Sequence, residues 1–202
     1  AAIAAQDKGC KVVVIGKEPL GTAHTTMAAG GINAALGTMD PQDNWLVHAA
    51  DTLVEGGKIG NPKKIEMLCK NAPKEIQWLL ERGCRFAKDD NGKILQRYFG
   101  AQSYRRTCYF GDQTGLEILR VLAKETKRRK IQFFAKHYVC ALLKASDGTV
   151  NGALAINMKN GKLIAFNAKA VLLAAGGYTR LYSRATSRQF ENIGDSLSLA
   201  FE

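Results

Sequence analysis

The chain has 202 residues and a net charge of +11, from 29 Lys and Arg against 18 Asp and Glu, which is long enough for one compact domain with a sizeable core and is neither disordered nor fibrous in composition. No apolar run approaches the ~20 residues that cross a bilayer, and the opening residues do not read as an export signal. Five cysteines (Cys10, Cys69, Cys84, Cys108, Cys140) contain no C-x-x-C pair and are odd in number, which argues against zinc, iron–sulfur and disulfide frameworks and leaves reduced cytosolic thiols as the default.

Residues 1–8 read as helix, stopped by Gly9. The apolar run Lys11–Ile15 follows, continuous rather than alternating, as in a buried parallel strand. A dinucleotide-binding unit is strand, glycine-rich turn, helix, strand. This chain supplies the later half, so the glycine turn is expected upstream of Ala1 and the chain is expected to be N-terminally truncated. In such units an acidic residue after the second strand holds the ribose. Glu18 stands near that place, although Lys17 intervenes, and both readings stay open. From Ile15 to Asn33 no helical or strand period appears. Thr22, Thr25 and Thr26 offer hydroxyls, Gly21, Gly30 and Gly31 let a ligand approach the backbone, and His24 sits in the middle. A loop leaving the C-terminal end of a parallel strand is where open α/β sheets bind nucleotide cofactors.

Residues 43–57 are predicted helical, with Asp43 as N-cap, Leu46, Ala50, Leu53 and Val54 as the apolar face and Gly56-Gly57 as the stop. Residues 62–82 are predicted as two helical pieces broken near Asn71–Pro73, with Ile65, Leu68, Ile76, Leu79 and Leu80 in the core. Trp45 and Trp78 are read as packing residues, and His48 and His137, lacking a metal-ligand spacing, as structural. Asp90–Lys93 is a turn between short strands. Asp112 or Thr114 is expected to cap a helix through Leu116, Leu119 and Ala123. A β-meander is expected over 131–134, 137–144, 150–157 and 163–166, turning at Asp147-Gly148 and Asn160-Gly161. Ala170–Ala175 is predicted as a buried strand entering Gly176-Gly177, and Asp195 opens a last helix. The basic run Lys124–Lys130 completes the complement of a helix dipole at its C-terminal end, with an acidic partner, an anionic surface and nucleic acid ranked after that.

His24-Thr25-x-x-Ala28-x-Gly30-Gly31-Ile32 resembles the flavin-attachment loop of the succinate dehydrogenase/fumarate reductase flavoprotein subunits. Phe99-Gly100-Ala101-Gln102-Ser103, Arg106-Thr107, Asp112-x-Thr114-Gly115, Ala175-Gly176-Gly177 and Gly194-Asp195 resemble further motifs of that family, in its order. Ala29, Ala101, Ala175 and Ile193 depart from the usual residues. The resemblance implies an α/β, FAD/NAD(P)-binding Rossmann-like domain of the glutathione-reductase type, lacking its first strand and capping domain. It divides the chain into 1–60 (nucleotide-binding part and attachment loop), 61–130 (helical insertion), 131–168 (β-meander) and 169–202 (return to the flavin sheet).

The same resemblance implies FAD bonded to His24. It places Gly16, Lys17, Thr22, Thr25, Thr26, Ala29, Gly30 and Gly31 along the cofactor. It puts the backbone at Val139 by the adenine, and Ala175, Gly176, Gly177 and Asp195 by the flavin and its phosphate chain, although for Asp195 a plain N-cap fits the spacing equally. Gly31 and Phe99 would shape a succinate/fumarate pocket. The family's chemistry is hydride transfer, its electrons are exchanged with an iron–sulfur subunit, and it reaches the inner face of a membrane only through anchor subunits. The proton-donating and substrate-clamping residues are expected beyond Glu202, so these residues alone are expected to be inactive. An L-aspartate oxidase, which lacks the histidine and binds FAD without a covalent bond, is the nearest alternative. A basic, non-catalytic binding module is the distant one.

Overall fold

The structure is a computed structural model and describes residues 1–201. In chain order the elements are α1 (Ala2–Asp7), β1 (Val13–Gly16), β2 (Ile32–Asn33), α2 (Trp45–Glu55), α3 (Pro62–Glu81), β3 (Gln96–Arg97), β4 (Thr107–Cys108), α4 (Thr114–Arg128), β5 (Gln132–Ala135), β6 (His137–Lys144), β7 (Val150–Asn157), β8 (Leu163–Asn167) and α5 (Asp195–Phe201). They form two compact units. Unit one joins Ala1–His24 to the stretch from Thr126 onward, and unit two is Thr25–Glu125.

In unit one, β1 pairs in parallel with β5, in the register Val13↔Gln132 to Gly16↔Ala135. The stretch 131–134, expected in the meander, therefore leaves it to join β1. Lys136, at a φ of +57°, provides the turn between β5 and β6. The meander is β6-β7-β8, antiparallel throughout, with a register shift between Val139 and Ala141. Its hairpin turn works as the Asp-Gly pair suggests: Asp147 Oδ1 accepts from Thr149 N at 2.9 Å and Gly148 takes a φ of +82°. His137 is buried, packs edge-on to Phe134 and Phe166, and its Nδ1 bonds to the Ala135 carbonyl at 2.7 Å. The predicted strand 170–175 is absent. No strand among the described residues pairs with it, so its backbone groups stay unladdered and Leu172 is 71 % exposed.

In unit two, β2, β4 and β3 make a short antiparallel sheet. Ile76 and Leu79 of α3, Val121 of α4, and Ala34, Cys84, Phe86, Ile94 and Cys108 form its core. Burial keeps the Cys108 thiol protonated, its pKa pushed up to about 12. α3 is one helix, not two. Asn61 caps it, accepting from Lys64 N at 3.2 Å, and Pro62 takes the first turn, where a missing N–H costs nothing. Pro73 removes one internal bond, yet the helix continues. Tertiary burial on either side of it, at Cys69 and Ile76, outweighs that local loss.

α2 inverts its predicted face. Leu46 and Val54 are exposed, while His48 is buried and Asp51 and Thr52 are half-buried. The cause is Arg106, only 1 % exposed. It forks onto Asp43 (Nη2–Oδ1 2.8 Å, Nε–Oδ2 3.1 Å) and reaches Asp51 at 2.7 Å. A buried guanidinium needs carboxylates, so the polar side of the helix turns inward. Asp43 is thereby taken as an ion-pair partner, and Asn44 caps the helix instead, accepting from Leu46 N and Val47 N. Burial, with Arg106 beside it, holds the His48 imidazole below its ordinary pKa.

The start of α4 also differs from expectation. Thr114 is its first helical residue, and the hydroxyl accepts from Phe110 N at 3.0 Å, bracing the preceding turn. On the buried side of the helix, Glu117 accepts from Arg85 N (2.9 Å), Arg85 Nη2 (3.0 Å) and Arg120 Nη2 (2.7 Å).

Candidate functional site

In unit one, the loop after β1 is tied to the start of α5. Lys17 Nζ sits 2.5 Å from Asp195 Oδ2 and donates to the Phe190 carbonyl at 2.9 Å, and Tyr138 OH donates to Asp195 Oδ1 at 3.3 Å. Asp195 is buried and is the first residue of α5, so its carboxylate serves this ion pair rather than a cap. Glu18 is paired with Lys136 at 2.8 Å. Thr22 closes its own turn, its hydroxyl donating to Pro19 O at 2.7 Å.

His24 lies in a short 3-10 turn and is half-buried. Its Nδ1 accepts from the backbone N–H of Arg188 at 3.2 Å. An amide can only donate, so Nδ1 carries the lone pair, and a proton or substituent belongs on Nε2. Among the described residues no hydrogen bond engages Nε2.

The glycine pair of unit one is held by neutral groups. Asn192 Oδ1 accepts from Gly177 N at 3.0 Å, Ser196 Oγ accepts from Ala175 N at 2.9 Å, and Gly177 O accepts from Gly194 N at 3.0 Å. Gly176 needs its glycine: φ is +83° and a Cβ would fall 2.4 Å from Asn192 Oδ1. Gly177 has nothing within 4 Å of that position. Val139 lies in β6 opposite Ala155, beside the register shift.

In unit two, the segment from Thr25 to Gly31 is gripped from several sides. Gly115 N donates to Ala28 O at 2.8 Å, and a Cβ on Gly115 would lie 1.8 Å from Thr25 O. Arg97 Nη2 donates to Gly30 O at 2.8 Å and to Ala29 O and Gly111 O at 3.3 Å each. A Cβ at Gly30 would strike the Phe99 ring at 2.7 Å, while one at Gly31, where φ is +130°, would strike Thr107 Cγ2 at 2.4 Å and Cys108 O at 2.6 Å. The backbone here is in contact with its own supports and has no room for a side chain. Phe99 is 60 % exposed, with its ring against Gly30. Gln102 Nε2 donates to Arg97 O at 2.9 Å and Thr107 Oγ1 at 3.1 Å, and Thr107 Oγ1 donates to Asn33 Oδ1 at 2.6 Å.

Within unit one, the structure thus brings together Lys17 with Asp195, and Ala175 and Gly177 with the residues around Asn192. Within unit two, it brings Gly30 together with Phe99, and Gly31 together with Thr107 and Cys108. Sequence reasoning missed Arg97, the Arg106–Asp43–Asp51 cluster and the Arg188 amide. Arg97 stands two residues before Phe99 and could have been suspected, since a carbonyl-rich glycine loop needs donors. A backbone amide 164 positions away from His24 leaves no trace in sequence. No group of three or more His, Cys, Asp or Glu among the described residues could hold a metal. No helix among them is long and apolar enough to cross a membrane.

Each unit, taken alone, fits a flavin nucleotide: one offers a parallel strand pair with a small-residue loop at its C-terminal end, and the other a glycine-lined backbone that excludes side chains. A loop at the C-terminal end of a parallel strand is where α/β nucleotide-binding domains hold their cofactor. The model of the FAD binding domain family matches residues 1–202. The chain belongs to that family, and within it to the succinate dehydrogenase/fumarate reductase flavoproteins. It is 39 % identical over 178 residues to a chain of the CoM/CoB fumarate reductase of Methanothermobacter marburgensis, covering 88 % of this chain and 32 % of that one. It is 38 % identical over 196 residues to the mitochondrial succinate dehydrogenase flavoprotein subunit of Oryza sativa, covering 93 % and 31 %. The solved Sdh1 of Mycobacterium smegmatis superposes with a TM-score of 0.92 at 34 % identity, covering 98 % of this chain and 35 % of that one. The chain spans about a third of the length of these relatives.

Proposed function

We propose that the protein containing these residues bonds FAD to Nε2 of His24 and interconverts succinate and fumarate. When bound, the flavin supplies the centre that takes or gives the hydride. The observation that carries the tether is the bond from Arg188 N–H to Nδ1. An imidazole substituted at Nε2 keeps Nδ1 as an acceptor, so the donor already facing it suits the bonded form.

The rest of the chain positions and shields. Lys17 would meet the cofactor's phosphates as half of an ion pair with Asp195, its charge oriented in advance. Backbone at Gly16, Thr22, Val139 and Ala175–Gly177 would line the nucleotide. The hydroxyls of Thr25 and Thr26 and the backbone from Ala29 to Gly31 would line the ring system. Gly31 and Phe99 would wall the dicarboxylate, and Phe99 would keep water from the reacting face. Electrons would pass to an iron–sulfur subunit, and a membrane would be reached through anchor subunits.

The test is steady-state turnover of the full-length protein with an artificial electron acceptor. A covalent histidyl bond raises the potential of the flavin and makes succinate a workable donor. H24A is therefore expected to lose succinate oxidation at least about tenfold more than fumarate reduction, roughly 1.4 kcal/mol of differential barrier. Equal loss in both directions would count against the tether. Oxidation of L-aspartate in place of succinate would favour the oxidase reading.

A further inference from the structure

Arg97 does something that no motif assigns. Its guanidinium gathers the carbonyls of Ala29 and Gly30 on one nitrogen and lies over the Tyr109 ring, 4.2 Å from the centroid. Its Nε is buried and has no acceptor among the described residues. A buried donor left unbonded is costly, so the side chain is aimed at those carbonyls in preference to satisfying itself.

Peptide geometry then fixes where the neighbouring amides point. The described chain has no cis peptide bond, and in a planar trans peptide the N–H points opposite to the preceding C=O. Holding the Ala29 carbonyl turns the Gly30 N–H away from Arg97, and holding the Gly30 carbonyl does the same for Gly31. Among the described residues neither amide donates to a protein acceptor. Two consecutive, unspent amides make an anion-accepting concavity. The side-chain directions of both glycines are already filled by Phe99, Thr107 and Cys108, so the amides are the groups this backbone has left to offer.

We propose that Arg97 is a positioning residue that presents the Gly30 and Gly31 amides as a paired donor for one carboxylate group of the dicarboxylate. The proposal rests on the functional reading above and adds the device that fixes the substrate end. Arg97 itself touches neither substrate nor cofactor; it acts through two peptide planes. A cation alone would not suffice, because one nitrogen must meet two successive carbonyls while the guanidinium plane stays stacked on Tyr109.

The experiment uses the full-length flavin-loaded protein and its R97M, R97K and Y109L variants. Melting temperature and flavin content serve as folding controls. Malonate binding is read from the flavin absorption spectrum, and hydrogen exchange of the Gly30 and Gly31 amides is followed with and without malonate. In the wild type, malonate is expected to slow exchange at both amides. In R97M its Kd should weaken about tenfold or more, the scale of a lost charge-assisted hydrogen bond, and the slowing should disappear. R97K should recover only part of the affinity, and Y109L should weaken it in the same direction by less. If R97M fails the folding controls, R97K and Y109L carry the test. Unchanged malonate affinity in R97M, or full recovery in R97K, overturns the assignment and leaves the functional reading standing. A wild-type protein that holds flavin but binds no dicarboxylate overturns both.

Discussion

The two units hold their glycine pairs by different means. Around Gly30-Gly31, one charged side chain, Arg97, grips the carbonyls of Ala29 and Gly30, and both Cβ directions are blocked. Around Gly176-Gly177, an asparagine and a serine hold exposed backbone, and one of the two glycines has open space beside it. Unit two has fixed the conformation of its pair within its own core. Unit one depends on a few neutral hydrogen bonds exposed to water, each contributing about 1 kcal/mol. The segment that needs no further partner for its shape is thus the one expected at the reacting end of the ligand.

Substitutions can break that contrast, and the largest effect is expected at Arg106. R106M removes the partner of a fully buried Asp43 and of Asp51. Stranding buried carboxylates costs about 3–5 kcal/mol, to be read as a drop in the urea midpoint of the full-length protein. G31A comes next. Its new methyl meets Thr107 and Cys108, and its φ is one that only glycine adopts easily, so a loss of about 2–4 kcal/mol is expected.

The third effect is one of pH. Hydrogen bonds from Arg120, followed by those from Arg85, hold the Glu117 carboxyl well below the usual carboxylate range, against the opposing effect of burial. A depressed folded-state pKa gives stability that is present above the unfolded value, about 4.3. That stability is lost as pH falls through the folded value. Urea midpoints should therefore fall below about pH 4.3, and E117Q should flatten that limb. The smallest effect is expected at G177A. With nothing within 4 Å and no positive φ, it should change stability by no more than about 0.5 kcal/mol. A cost at Gly177 matching that at Gly31 would erase the distinction between the two pairs.

Local chemistry made much of the fold legible. Gly9, Asp147-Gly148 and Asn160-Gly161 mark their turns because the glycine takes a positive φ that its neighbours do not. β6, β7 and β8 follow from the largely apolar stretches between those turns. Reading failed where tertiary contacts overrule local preference. The period of α2 marks Leu46 and Val54 as its inner face, but a buried Arg106, distant in sequence and just before β4, reverses it. Pro73 reads as a break, and burial on both sides of it keeps the helix whole. Ala170–Ala175 has strand composition, and no strand among the described residues pairs with it.

Of the candidate site, His24 and the glycines stood out by residue type. The groups that orient them did not, because a backbone amide at Arg188 and a guanidinium at Arg97 act by position in space.

The most direct measurement is to precipitate the full-length protein with acid, digest it, and find by mass spectrometry which peptide carries the flavin. Flavin mass and fluorescence are expected on the peptide containing His24, and none in H24A. Flavin released wholly into the supernatant from the wild type, or bonded to a different residue, would contradict the tether at His24.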